Sequence, residues 1–334
     1  LGDVVIASVL LVGARQLEEP ATAEGRHFDA VGAVLSIIGL SLAVLGVLKS
    51  GEWGWVQPVS GQPVLFGTSP VIWLIGGGLL VIAGFLAHEG RRIERGREPL
   101  VQPSLLRNTK VTGGLMMFFF EYVSQAGVFF TVPLFLSVVL ELSALQTGLR
   151  LVPLSLALLV SATLVPRLFP AASPRRIVRI GLLLMLGATV TLIAGVDPGA
   201  NAGVVAIPML LMGLGIGCLS SQLSAVTVSA VPESMAEEIG GLQNTASNLG
   251  ASIGTALAGA VLIANLSAGL IGGINTNPKI SADVQQAATT SISSGVAFVS
   301  NSSLEKALAD AGVSSEESQA IVEANTNARS DALD

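Results

Sequence analysis

VTGGLMMFFFEYVSQAGVFFTVPLFLSVV (residues 111–139) carries one charged side chain, Glu121, in a run otherwise built of apolar, small and neutral polar residues. A helix crosses the roughly 30 Å hydrocarbon layer of a bilayer with about 20 mostly apolar residues. In lipid the backbone must satisfy its own polar groups, so a run of this length reads as a membrane helix and not as a loop. The same criterion applied outward gives full spans at 30–49, 70–88, 145–166, 176–196, 203–231 and 239–265, with an incomplete span at 1–14. Asp29 stands where its side chain can cap the first full span. Pro133, Pro153 and Pro208 fall inside spans, which membrane helices tolerate.

The whole composition agrees. Of 334 residues, 51% are hydrophobic and only 12% charged, against roughly 25% in soluble domains, and the mean hydropathy is +0.72. Disorder needs low hydrophobicity, and nucleic-acid binding needs a basic face that a net charge of −6 does not supply. The single cysteine, Cys218, cannot form a disulfide within the chain. His27 and His88 lack cysteines or acids at ligand spacing, so no metal site is expected. No nucleophile–base pair or phosphate loop is present, and the reading is not an enzyme and needs no cofactor. The chain starts at Leu1 without a basic leader, and residues 1–14 read as the end of a truncated span.

Charge orients the bundle. The loops at 15–29, 89–110, 166–179 and 231–238 hold Arg15, Arg26, Arg91, Arg92, Arg95, Arg97, Arg107, Lys110, Arg167, Arg175, Arg176 and Arg179, which are 12 of the 17 basic residues. By the positive-inside rule that side is cytoplasmic. The cluster from Arg91 to Arg97 reads as an anchor on anionic headgroups. Trp53, Trp55 and Phe66 suit the opposite interface. Residues 266–334 turn polar and acidic, with eight acids against three basic residues. They are expected on the external side, as a loop before another span or as a tail, with short surface helices near Leu304–Asp334.

Several stretches, taken in order, resemble one family. They are Arg26-His-Phe-Asp-Ala-Val-Gly32 running to Gly51-Glu-Trp-Gly-Trp55, Glu98-Pro-Leu100, Leu105-Leu-Arg-Asn108, Gln146-Thr-Gly-Leu-Arg-Leu-Val-Pro153, and Gly240-Gly-Leu-Gln-Asn-Thr-Ala-Ser-Asn-Leu-Gly250 followed by Gly254. Their order and spacing are similar to the fourteen-span drug:proton antiporters of the major facilitator superfamily, over about 1–265. The resemblance implies an all-α integral membrane fold, a partial major-facilitator-type bundle of about seven full spans plus the end of another. Residues 15–110 would then be two linker spans with cytoplasmic loops, and 111–265 five spans of the second half. Residues 266–334 would be an external loop or tail. It also implies proton-coupled export of lipophilic, often cationic, drugs across the plasma membrane, a role in antibiotic resistance, and a missing amino-terminal half that carries coupling residues. The cavity of such a transporter lies between two halves that rock. A dedicated metabolite or lipid exporter, or a membrane-anchored sensor using the external segment, are the rival readings.

Within this frame Glu121 is the sharpest site candidate. It lies about ten residues into its span, near mid-bilayer, where an acid is costly and usually faces a cavity or a polar neighbour. Gly114 at i−7 and Gln125 at i+4 share its face, with Tyr122 alongside. The group is either a carrier of protons or substrate cations, or a neutral acid held for packing. Arg150 either closes an external gate or snorkels to headgroups. Asn244, Asn248, Ser252 and Thr255 form one polar helix face, as cavity lining or interhelical hydrogen bonding. Gln222, beside Ser221, is a weaker cavity candidate. Gly250 and Gly254, like Gly213 and Gly217, read as small residues for close helix packing. Phe118, Phe119, Phe120, Phe129 and Phe130 could face lipophilic cations, or lipid.

Overall fold

Side-chain caps set where the helices start. The computed structural model describes residues 29–331 apart from 60, 141, 196–202, 233–234, 294–300 and 311–312. The incomplete span expected at 1–14, with Arg15, Arg26 and His27, lies outside the described residues. Asp29 accepts a hydrogen bond from the Gly32 N–H at 3.0 Å and opens α1 (Ala30–Trp53). Ser69 caps α2 (Pro70–Glu94), whose first residue is a proline that needs no N–H partner. Between them, Phe66 and Gly67 both adopt positive φ, +51° and +79°, in a tight turn closed by the Leu65–Thr68 bridge. Phe66 is 83% exposed and its ring sits 5.4 Å from that of Trp73.

A short 3₁₀ turn (Leu105–Arg107) leads to Asn108, which caps α3 (Thr109–Leu134) by accepting from the Lys110 N–H at 3.0 Å. Pro133 cannot donate to the helix ladder. Beyond it the chain loosens into a π-helical turn (Phe135–Val139), where the Ser137 hydroxyl donates to the Pro133 carbonyl. Ser143 and Gln146 form a reciprocal capping box at the start of α4 (Ala144–Leu168). Then come α5 (Pro174–Gly195), α6 (Ala206–Val228) and α7 (Ala236–Thr276). Among the described residues seven helices are long and apolar enough to cross a membrane. No named strand occurs among the described residues. The chain is a multi-pass integral membrane protein.

Helix α6 is the centre of the bundle, packed against α4 and α5 and touching α3 and α7. Its three alternate glycines divide between neighbours. A Cβ on Gly213 or Gly217 would run into the Leu154 and Leu158 carbonyls of α4, and one on Gly215 into Met185 and the Gly181 carbonyl of α5. Lipid is as apolar as leucine, so such helices associate by close packing and not by escape from water. The outward surface, with Leu80, Leu156, Leu183 and Ile193 exposed, suits that solvent. Helix α3 packs on α7, and the α1–α2 hairpin attaches to the other side of α7, where Gly51 meets Ala260.

One boundary departs from expectation. The apolar composition ends near 265, but α7 continues to Thr276 and so runs 41 residues, about 60 Å at 1.5 Å per residue. Leu266, Leu270 and Ile274 keep the i, i+4, i+8 spacing, so a packed helix persists through a stretch that reads as polar. They are buried against Ile321, Ala324 and Ala328 of α10 (Ser315–Asp331). Helices α8 (Ala282–Ser293) and α9 (Asn301–Asp310) complete this small cluster.

Glu317 clasps the cluster. Its carboxylate accepts from the Ser281 N–H at 3.0 Å and from the Ser314 hydroxyl at 2.7 Å. Hydrogen bonds from Ser281 and Ser314 hold the carboxyl down at about 2, against an ordinary 4.5. A depressed acid contributes above its unfolded value and loses that contribution as pH falls through its folded one. Hydrogen exchange at the Ser281 amide, corrected for intrinsic rate, should therefore hold level from pH 7 to pH 5 and rise only toward pH 2. The Glu317→Ala variant should exchange fast throughout.

Candidate functional site

Helix α3 is gripped at two heights by glycine. Near its start, a Cβ on Gly114 would overlap the Thr227 side chain of α6, and Thr227 is itself fully buried with its hydroxyl donating to the Leu223 carbonyl at 2.8 Å. Higher up, Gly250 and Gly254 of α7 press on the Phe119 and Val123 carbonyls and on the Tyr122 Cβ. The upper contacts bring two backbones together with no room for a side chain, the arrangement that small-xxx-small patterns create, while at the lower one Gly114 makes room for the Thr227 side chain.

Glu121 lies at the height of the upper contact, but on the face of α3 that carries Gly114. It is 4% exposed, and its Oε2 has no hydrogen-bond partner among the described residues. A buried carboxylate without partners pays the full desolvation cost of its charge. What such a group can do is bind a proton or meet a cation. Gln125, one turn on, and Tyr122 are half-buried.

Above this level α3 and α7 part to leave a cavity of about 330 Å³, lined by Val123, Gly127 and Thr131 of α3 and by Gly254, Leu257, Ala258, Val261 and Leu262 of α7. Its only side-chain polar group is the Thr131 hydroxyl. Its surface is mainly apolar.

The other sequence candidates are spread out. Asn244, Asn248 and Thr255 lie on an exposed face of α7, turned away from the glycine face that meets α3. Asn248 donates to the Asn244 side chain at 3.0 Å, a bond within one helix and not between helices. The buried polar residues of this helix are Gln243 and Ser247, one position earlier in each turn. Arg150 is exposed on α4, and Gln222 is half-buried on α6. Neither lines the cavity, and Glu121, Gln125 and Tyr122 are not among its lining residues either.

A second polar cluster joins α1 to α2, and reading along the chain did not bring its parts together. Asp29 and Glu89 are both buried, Glu89 completely. His88 Nε2 and Arg92 Nε each lie 3.3 Å from Asp29 Oδ2. Glu89 Oε2 accepts from the Leu100 N–H at 2.8 Å, and Arg92 donates to the Glu98 carbonyl at 2.9 Å. Burial works against charge on Asp29, but the Gly32 N–H, His88, Arg92 and Glu89 outweigh it and hold the carboxyl below its ordinary value. Farther along the same loop, the Gln102 N–H reaches Glu238 of α7 at 3.4 Å and Asn108 donates to the Ala230 carbonyl at 3.3 Å.

Known proteins place this architecture. The chain is 26% identical over 262 residues to the tetracenomycin C resistance and export protein of Streptomyces glaucescens, covering 78% of this chain and 45% of that one. It is 27% identical to the multidrug resistance protein B homolog of Mycobacterium tuberculosis, covering 76% and 45%. It is 31% identical to the cephamycin export protein CmcT of Amycolatopsis lactamdurans, covering 75% and 49%. The chain thus spans about half the length of these curated relatives. Residues 24–255 match the Major Facilitator Superfamily. With seven membrane-length helices among the described residues, packed through glycine contacts, and this match over most of its length, the chain belongs to the Major Facilitator Superfamily.

Proposed function

We propose that the protein exports lipophilic, often cationic, compounds across the cytoplasmic membrane by alternating access, driven by protons moving inward. The observation that carries this reading is Glu121, a buried acid without a hydrogen-bond partner among the described residues, on the helix that also walls the apolar cavity. The cavity takes the lipophilic body of a substrate, and the carboxyl exchanges a proton for the substrate's charge. The names of the relatives, which speak of drug resistance and export, support the same class.

In this reading the basic loops face the cytoplasm, and residues 266–334 face outward. The exposed Asn244, Asn248 and Thr255 face supplies polar wall toward a first half of the transporter, with Gln125 and Tyr122 beside Glu121 and Gln222 on the neighbouring helix. Arg150 snorkels to the outer headgroups. A dedicated exporter of one metabolite is the second reading, favoured by the near-absence of polar groups in the cavity and by relatives named for single compounds.

The test uses the complete protein in vesicles with an imposed pH gradient, following efflux of the fluorescent cation ethidium. Efflux that collapses on adding a protonophore is the expected result. Absence of efflux from folded protein overturns the broad-specificity reading and moves the screen to neutral metabolites and lipids.

A further inference from the structure

The joint between α1 and α2 contains two carboxyl groups over one glycine. A Cβ on Gly32 would overlap both Asp29 Oδ2 and Glu89 Oε1, so these oxygens share the same small space. Both are buried, and neither has a hydrogen-bond partner among the described residues, although His88 Nε2 and Arg92 Nε lie 3.3 Å from Asp29 Oδ2 as ion-pair neighbours while Glu89 Oε1 has no such neighbour there. Their sister oxygens are satisfied, Asp29 Oδ1 by the Gly32 N–H and Glu89 Oε2 by the Leu100 N–H. Two anionic oxygens placed together in a dry site repel, whereas one proton between them removes the repulsion and gives Glu89 Oε1 a partner.

We propose that Asp29 and Glu89 bind one proton jointly, Asp29 as the carboxylate and Glu89 as the acid, and that this proton fastens the α1–α2 hairpin to the loop at Leu100.

The surroundings fix which partner keeps the charge. Asp29 takes the Gly32 N–H and has His88 Nε2 and Arg92 Nε at 3.3 Å, all favouring its anionic form. Among the described residues Glu89 accepts one hydrogen bond, from the Leu100 amide, which suits the carbonyl oxygen of a neutral acid. Among the described residues the titratable and charged groups facing the pair are His88 and Arg92 of α2, with Glu98, whose carbonyl takes Arg92, next to them; Glu238 of α7 lies farther along the loop, where it takes the Gln102 N–H. Helix α1 adds no charge before Lys49. A guanidinium and an imidazole on the same carboxylate make the site a poor one for a metal cation, so the ligand is a proton. Removing it sets two charges against each other beneath Leu100 and loosens the loop that leads to α3. The pair lies outside the helices assigned to the export path, so its test does not depend on transport.

Two measurements on the full-length protein in lipid nanodiscs decide the matter. Infrared difference spectra at neutral pH should show a protonated carboxyl carbonyl that is lost in Glu89→Gln and retained in Glu121→Gln. Hydrogen exchange at the Leu100 amide, corrected for intrinsic rate, should rise about tenfold as the wild type is made alkaline. It should stay flat in Glu89→Gln, whose amide donates to Asp29 and still accepts from Leu100. The Asp29→Asn variant, which removes the charged partner, should shift the midpoint of that rise. An unchanged carbonyl band in Glu89→Gln overturns the proposal. So do parallel pH profiles in wild type and Glu89→Gln, or a Leu100 exchange rate that follows sodium concentration and not pH.

Discussion

Replacing Glu121 with glutamine in the full-length protein should lower pH-gradient-driven export of a cationic substrate by about tenfold or more, equal to at least about 1.4 kcal/mol on the limiting step. Glutamine keeps the size of the side chain and its hydrogen-bonding capacity, so the contacts of α3 with α6 and α7 survive. It cannot gain or lose a proton, and it cannot balance the charge of a cation. The effect should fall on the response to the pH gradient more than on expression or thermal stability, which separates a charge-handling role from a packing one. Efflux assays in vesicles, with expression and melting temperature measured alongside, check it. Normal export by a normally folded Glu121→Gln protein would place the residue among groups kept for packing. Glu121→Asp, which retains the charge on a shorter arm, should recover part of the activity.

The second large effect is structural. Gly254→Leu should destabilise the protein by about 3 kcal/mol, the upper range for forcing side-chain volume into a packed site. A Cβ at Gly254 would strike the Val123 carbonyl and lie 2.8 Å from the Val123 Cα, and backbone cannot rotate aside as a side-chain tip can. Helices α3 and α7 would have to separate, and the leucine would also occupy the mouth of the cavity that Gly254 lines. Gly240→Ala is the matching control. That glycine, near the start of the same helix, has nothing within 4 Å of its Cβ position, so alanine should be neutral or add up to about 1 kcal/mol from helix propensity. Thermal unfolding of both variants in the same detergent tests the pair.

The all-α membrane class was legible from apolar runs and caps alone, because lipid leaves a long apolar segment no alternative to a helix. The far end of α7 was not, since composition turns polar near 265 while the Leu266, Leu270 and Ile274 spacing persists, and the docking of α8, α9 and above all α10 gives that spacing a surface to cover. Periodicity groups Asn244 with Asn248, but it cannot say which helix that face meets. One position earlier, Gln243 and Ser247 are the residues that are buried. Asp29 was readable as a helix cap. Its meeting with Glu89, sixty residues on, depends on the hairpin folding back at the Phe66–Gly67 turn, and no local pattern announces a contact of that kind.

Helix α7 extends well past the thickness of a bilayer as one unbroken rod, and that length makes it a lever. If the α3–α7 contact at Gly250 and Gly254 serves as the fulcrum, a tilt of about 10° would carry the end some 30 Å away through about 5 Å. Helix α10, seated on that outer arm, would be swept along with it. A spin label or fluorophore at the exposed Asn327 would then report motions that begin beside Glu121.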